Sequence, residues 1–153
     1  MLLLRLLLPA LASHSPASSS VPFFFISLNT SQTGALRTKK MLAAFSGITK
    51  HLEHVPGVDG NASARDYTHA DAQYNHLLKR NSMSEIGCSM SHVQAIRRAE
   101  AYCSRHSVEM AVIMEDDVTA DLLPLWTRGQ LHELATSLPD NWAVVQLQLI
   151  AQV

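Results

Sequence analysis

AVIMEDDVTA, residues 111–120, carries four apolar residues straight into Glu115, Asp116 and Asp117. With EMAVIM (109–114) as a fully apolar run, the pattern predicts a buried strand that stops at three acids. Adjacent carboxylates repel one another and require water, hydrogen-bond donors or a cation. In an open α/β sheet, the carboxyl ends of the strands are where ligands bind. Strand alternation places Glu115 and Asp117 on one side and Asp116 on the other. Two explanations fit the cluster equally: caps and solvated acids at the mouth of a following helix, or oxygen ligands for Mg²⁺ or Mn²⁺.

Outward from this stretch, strands and helices alternate. PFFFISLN (22–29) reads as a buried strand, TSQTG (30–34) as a loop, and ALRTKKMLAAFSGI (35–48) as a helix. HLEHV (51–55) reads as a second strand closed by the turn PGVDG, and residues 61–81 as a polar excursion with one short helix. Ser82-Met83-Ser84-Glu85 is a capping box that starts a helix near residue 83. On it, Ser91, Gln94, Arg98 and Arg105 are expected to form a polar stripe, and Cys88, His92, Ile96, Ala99 and Cys103 an inward one. Residues 121–137 read as helical and WAVVQLQLI (142–150) as a last strand. The fold class is therefore α/β, an open and mostly parallel sheet with flanking helices.

The 153 residues suit one domain with a real core, and a net charge of −1 offers no basic field for nucleic acid. MLLLRLLLPALA followed by SHSPASSSVP predicts a signal-like or linker segment over 1–20, with Ala10-Leu11-Ala12 as a cleavage-like site. Its apolar run is too short for a transmembrane helix. The sequons at Asn29 and Asn61 are compatible with a secretory (ER/Golgi lumen) location; without a functional signal the expectation is cytoplasmic. On a single helix, Cys88 and Cys103 lie about 22 Å apart, too far for a disulfide, so both are expected to be free and buried. His51, His54, His69, His76, His106 and His132 show no ligand spacing and are expected at the surface or in loops.

SEIGCSMSHVQAIRRA (84–99) followed by VIMEDDV (112–118) resembles glycosyltransferase family 25, which includes lipopolysaccharide β-galactosyltransferases and procollagen galactosyltransferases. Glu85, Ile86, Gly87, Cys88, Ser91 and His92 match its E-I-G-C-x-x-S-H segment, and Glu115, Asp116 and Asp117 its E-D-D motif. ISLNTS, Arg37 with Met41, and VPGVDG are looser matches. The resemblance covers about residues 23–150 and implies a GT-A-like fold over 21–153. It also implies transfer of a hexose, galactose first, from a UDP-sugar to a glycan or glycoprotein acceptor with Mn²⁺ or Mg²⁺. By this resemblance Glu115 and Asp117 hold the metal, while Asp116, Asn29, Arg37, Ser91 and His92 belong to the donor site. It further implies that the domain continues past Val153, so the chain is expected to be an incomplete domain. No general base is evident. His92 is a candidate for the site, although a lone His on an inward helix stripe is more often a hydrogen-bonded core residue.

The opening strand departs from the family by ending in Leu28-Asn29-Thr30-Ser31, where an Asp followed by an Arg is usual. The alternative function is a non-catalytic remnant or carbohydrate-binding domain. A metal-dependent phosphoryl-transfer enzyme fits less well, because no phosphate loop accompanies the acids.

Overall fold

A computed structural model describes residues 2–5, 21–63, 82–118 and 130–146. Five strands form one sheet in the spatial order β3-β2-β4-β1-β5. They are β1 (Leu2–Arg5), β2 (Phe23–Ser27), β3 (Leu52–Pro56), β4 (Met110–Glu115) and β5 (Val144–Gln146). β2 pairs parallel with β3 and with β4, whereas β1 runs antiparallel between β4 and β5. Four strands thus point one way, as expected of an α/β sheet. The residues read as signal-like from sequence include this short β1, in register with β4 from Leu2↔Ile113 to Arg5↔Met110.

Helices α1 (Gln32–Phe45), α2 (Gly60–Ser63), α3 (Met83–His106) and α4 (Gln130–Ser137) complete the described fold. Alternation along β2 and β4 divides the core into two layers. Phe24, Ile26, Ala111 and Ile113 pack with Val55 and with Ala95, Ala99 and Cys103 of α3. Phe23, Phe25, Val112 and Met114 pack on the opposite face with Met41 and Phe45 of α1, and partly buried Leu131 and Leu134 of α4 join them. Both faces of β2 and β4 are covered, which is why their sequences are continuous apolar runs.

The capping box at α3 is present as read. The Glu85 N–H donates to the Ser82 hydroxyl, and the Glu85 carboxylate accepts from the Ser82 N–H at 2.6 Å and its hydroxyl at 2.9 Å. These bonds hold the Glu85 carboxyl below its usual range. At the other end, Ser107 adopts the left-handed conformation and the Val108 N–H closes onto the Cys103 carbonyl.

Three expectations shift. α1 begins at Gln32 rather than Ala35, because the Ser31 hydroxyl caps it by accepting from the Gly34 N–H at 3.1 Å. The buried face of α3 is Ile86, Gly87, Ser91, Ala95, Ala99 and Cys103, so Ser91 is buried and Cys88 is exposed. Ser91 tolerates burial because its hydroxyl accepts from the Val58 N–H at 2.8 Å and donates to the Gly87 carbonyl at 2.7 Å. His51 and His54 are also not plain surface residues: His51 stacks on Tyr102 and His54 on Phe25. The expected helix over 121–137 is described from Gln130 and the last strand over Val144–Gln146; their remaining residues lie outside the described segments, as do His69 and His76.

Candidate functional site

β2 is the first of the parallel strands, and the chain leaves it for β3 on one side, then crosses to β4 on the other. The carboxyl ends of β2 and β4 therefore flank a topological switch point, where open α/β sheets form their ligand crevice. A cleft of about 490 Å³ opens there, within the range of small-molecule sites. Ser27 at the end of β2 and Leu28 after it, Arg37 from α1, Val58 and Asp59 after β3, Cys88 and His92 from α3, and the acids at and just after the end of β4 line it.

Two close approaches shape the walls. At Gly34 a Cβ would lie 1.8 Å from the Leu28 carbonyl oxygen, so only glycine lets α1 start directly behind the end of β2. That placement brings Arg37 over the cleft. On the far wall, Gly60 sits against the Met83 carbonyl and Gly87, which together with the Ser91 hydrogen bond fixes residues 57–60 to the start of α3.

The three acids have separate environments. Asp116 is nearly buried, accepting from the Ser27 hydroxyl at 2.7 Å and from Arg37 at 3.3 Å, while Thr38 donates to Ser27 at 3.0 Å. Glu115 is exposed and its Oε1 lies 3.5 Å from His92 Nε2. Asp117 is exposed on the cleft and belongs to the turn after β4, so strand alternation stops at Glu115. The expected split of Asp116 from its neighbours holds for partners, but for a different reason: Asp116 is drawn toward Ser27 and Arg37.

Of the other residues singled out from sequence, Ser91 and His92 line the cleft, Ser91 with its hydroxyl used internally. Asn29 is exposed and stands outside the cleft lining. Sequence reading missed Ser27 and Thr38. The only signal for Ser27 was a hydroxyl at the last position of an otherwise apolar strand. It also treated Cys88 as packing, whereas Cys88, His92 and Glu115 bring their ligand atoms within 4.8 Å of one another.

The two thiols differ. Burial pushes Cys103 up to about 11. Partial burial, and then the Glu115 charge, raise Cys88 above its ordinary value. Access then decides reactivity: Cys88 is expected to react with a maleimide in the native state and Cys103 only after denaturation. Because the thiolate is the nucleophile, the Cys88 rate is expected to keep climbing as pH passes the ordinary thiol value of 9.0. Mass mapping of the labelled peptides checks this, and first labelling at Cys103 would contradict the packing of α3.

An acid-lined crevice at the switch point of an α/β sheet has the placement and size of a small-molecule site. The chain belongs to glycosyltransferase family 25, described as an LPS biosynthesis protein family, whose model matches residues 20–122. Comparison with curated proteins and with solved structures gave no significant match. The family is one of glycosyltransferases, which assigns a sugar donor and a glycan-type acceptor as the class of substrate. Among the described residues, no helix is long and apolar enough to cross a membrane.

Proposed function

We propose that the cleft binds a UDP-hexose, with galactose the first candidate, and that the protein transfers the hexose to a hydroxyl of a glycan or glycoprotein in a secretory compartment. The observation that carries this reading is the meeting of Glu115, Asp116, Asp117 and Arg37 at the ends of β2 and β4, in a chain of this family. Two exposed carboxylates, Glu115 and Asp117, are hard oxygen donors on the open side of the cleft, which fits Mn²⁺ or Mg²⁺. When bound, such a cation neutralises the negative charge that grows on the departing diphosphate.

The chain's own residues have distinct duties. Asp116, held by Ser27, orients the Arg37 guanidinium, which is half exposed and keeps N–H groups free to meet phosphate oxygens or the ribose edge. Ser91 fixes the Val58 wall, so its part is to position the cleft rather than to touch the donor. His92 reaches the same space beside Glu115.

Thermal unfolding with UDP-galactose, with and without Mn²⁺, tests the reading. A ligand at about one hundred times its dissociation constant stabilises the folded state by about 2.7 kcal/mol. The expected result is a rise in Tm that requires both components. A Tm indifferent to the pair would overturn the proposal. A rise without UDP release in the presence of acceptor hydroxyls would identify a binding domain instead.

A further inference from the structure

Cys88 and His92 are one turn apart on α3, and Glu115 ends β4 across the cleft from them. His92 Nδ1 lies 3.0 Å from the Cys88 carbonyl oxygen, an acceptor, so Nδ1 carries the proton in neutral imidazole. This leaves the lone pair on Nε2, which faces the Oε1 of Glu115 at 3.5 Å. Two acceptors that face each other repel unless a proton or a metal cation joins them. A ring N–H donated to a backbone carbonyl, which sets the tautomer, is also how metal-ligating histidines are oriented.

The spacing matches a cation in between. Zinc bonds of about 2.0–2.1 Å to nitrogen and about 2.0–2.2 Å to oxygen, at a tetrahedral angle, place the two ligand atoms about 3.4 Å apart. With a sulfur bond of about 2.3 Å, the same geometry places sulfur about 3.6 Å from nitrogen. The three ligand atoms lie within 4.8 Å of one another, so the Cys88 sulfur has to close by about 1 Å at most to complete the set. Small side-chain rotations on two rigid elements would close the set.

We infer that Cys88, His92 and Glu115 form a site for a borderline transition-metal cation of the zinc class, with its fourth position open to the cleft. Thiolate and imidazole select zinc or cobalt, whereas Mg²⁺ and Mn²⁺ prefer oxygen. Cys88 binds as the thiolate and its proton passes to solvent. The site differs in donor chemistry from the Glu115–Asp117 site of the proposed transfer reaction. Because the two share Glu115, zinc at one excludes full coordination at the other.

Cobalt(II) titration of the full chain tests this, since a cobalt–thiolate bond has its own near-ultraviolet charge-transfer absorption. The wild type is expected to develop that band with one equivalent of Co²⁺, and to lose it on adding Zn²⁺ but not excess Mg²⁺. Cys88→Ser abolishes the band, His92→Ala weakens cobalt affinity by more than the ~10–100-fold that loss of an outer-shell partner costs, and Cys103→Ala leaves both intact. Circular dichroism of each variant checks that α3 is formed. No band in the wild type, a band that survives Cys88→Ser, or displacement by Mg²⁺ as readily as by Zn²⁺ would each overturn the inference. Asp117→Ala keeps the cobalt band, so failure of the donor-binding proposal and failure of this one are read separately.

Discussion

Gly60→Ala is expected to destabilise the protein by about 3 kcal/mol, the upper part of the range for overpacking. The added Cβ would stand 1.7 Å from the Met83 carbonyl oxygen and 2.6 Å from its carbon, both backbone atoms at the start of a capped helix. Neither can rotate away as a side-chain tip would. Relief requires moving residues 57–60 off α3, which breaks the Val58–Ser91 hydrogen bond and leaves the buried Ser91 hydroxyl with its Gly87 bond alone. Gly47→Ala is the control, because its Cβ would meet nothing within 4 Å. Urea denaturation of both variants decides the matter: a Gly60→Ala midpoint equal to that of Gly47→Ala would mean that the far wall is not packed as described.

Asp117→Ala is expected to weaken UDP-galactose binding in the presence of Mn²⁺ while leaving the fold untouched. Asp117 is exposed, so its removal costs no packing. If it holds the cation, its contribution is at least that of a hydrogen bond to a charged group, about 1.5–3 kcal/mol, or about 10–100-fold in affinity. Asp116→Ala should behave differently. It strips partners from Ser27 and Arg37, so it lowers Tm as well as affinity. Calorimetric titration together with thermal unfolding separates the two acids, and equal behaviour of both variants would contradict their division of labour.

Much of this arrangement was legible in the sequence because its signals are local. The strands at 23–27 and 110–115 follow from apolar runs, and the start of α3 follows from Ser82 and Glu85. Placing the acids at a strand end needed only that reading and the rule for open sheets. What could not be read was rotation and long-range pairing. Ser91 is a polar residue whose burial depends on Val58, 33 positions away, and Ser27 meets Asp116 across 89 positions. A helix face assigned by polarity alone therefore put Ser91 outside and Cys88 inside. The antiparallel β1 was equally hidden, since a leucine-rich run has the same appearance as a signal segment or a strand.

The central claim is that a donor nucleotide and its cation meet at the ends of β2 and β4. Paramagnetic broadening by Mn²⁺, followed on the backbone amides of nitrogen-15-labelled protein with UDP-galactose present, tests it most directly. The account predicts selective loss of signals from residues 27–28, 57–59 and 115–118. Signals from 104–107, about 20 Å along α3 from His92, remain. Broadening centred elsewhere, or spread evenly over the chain, would contradict it.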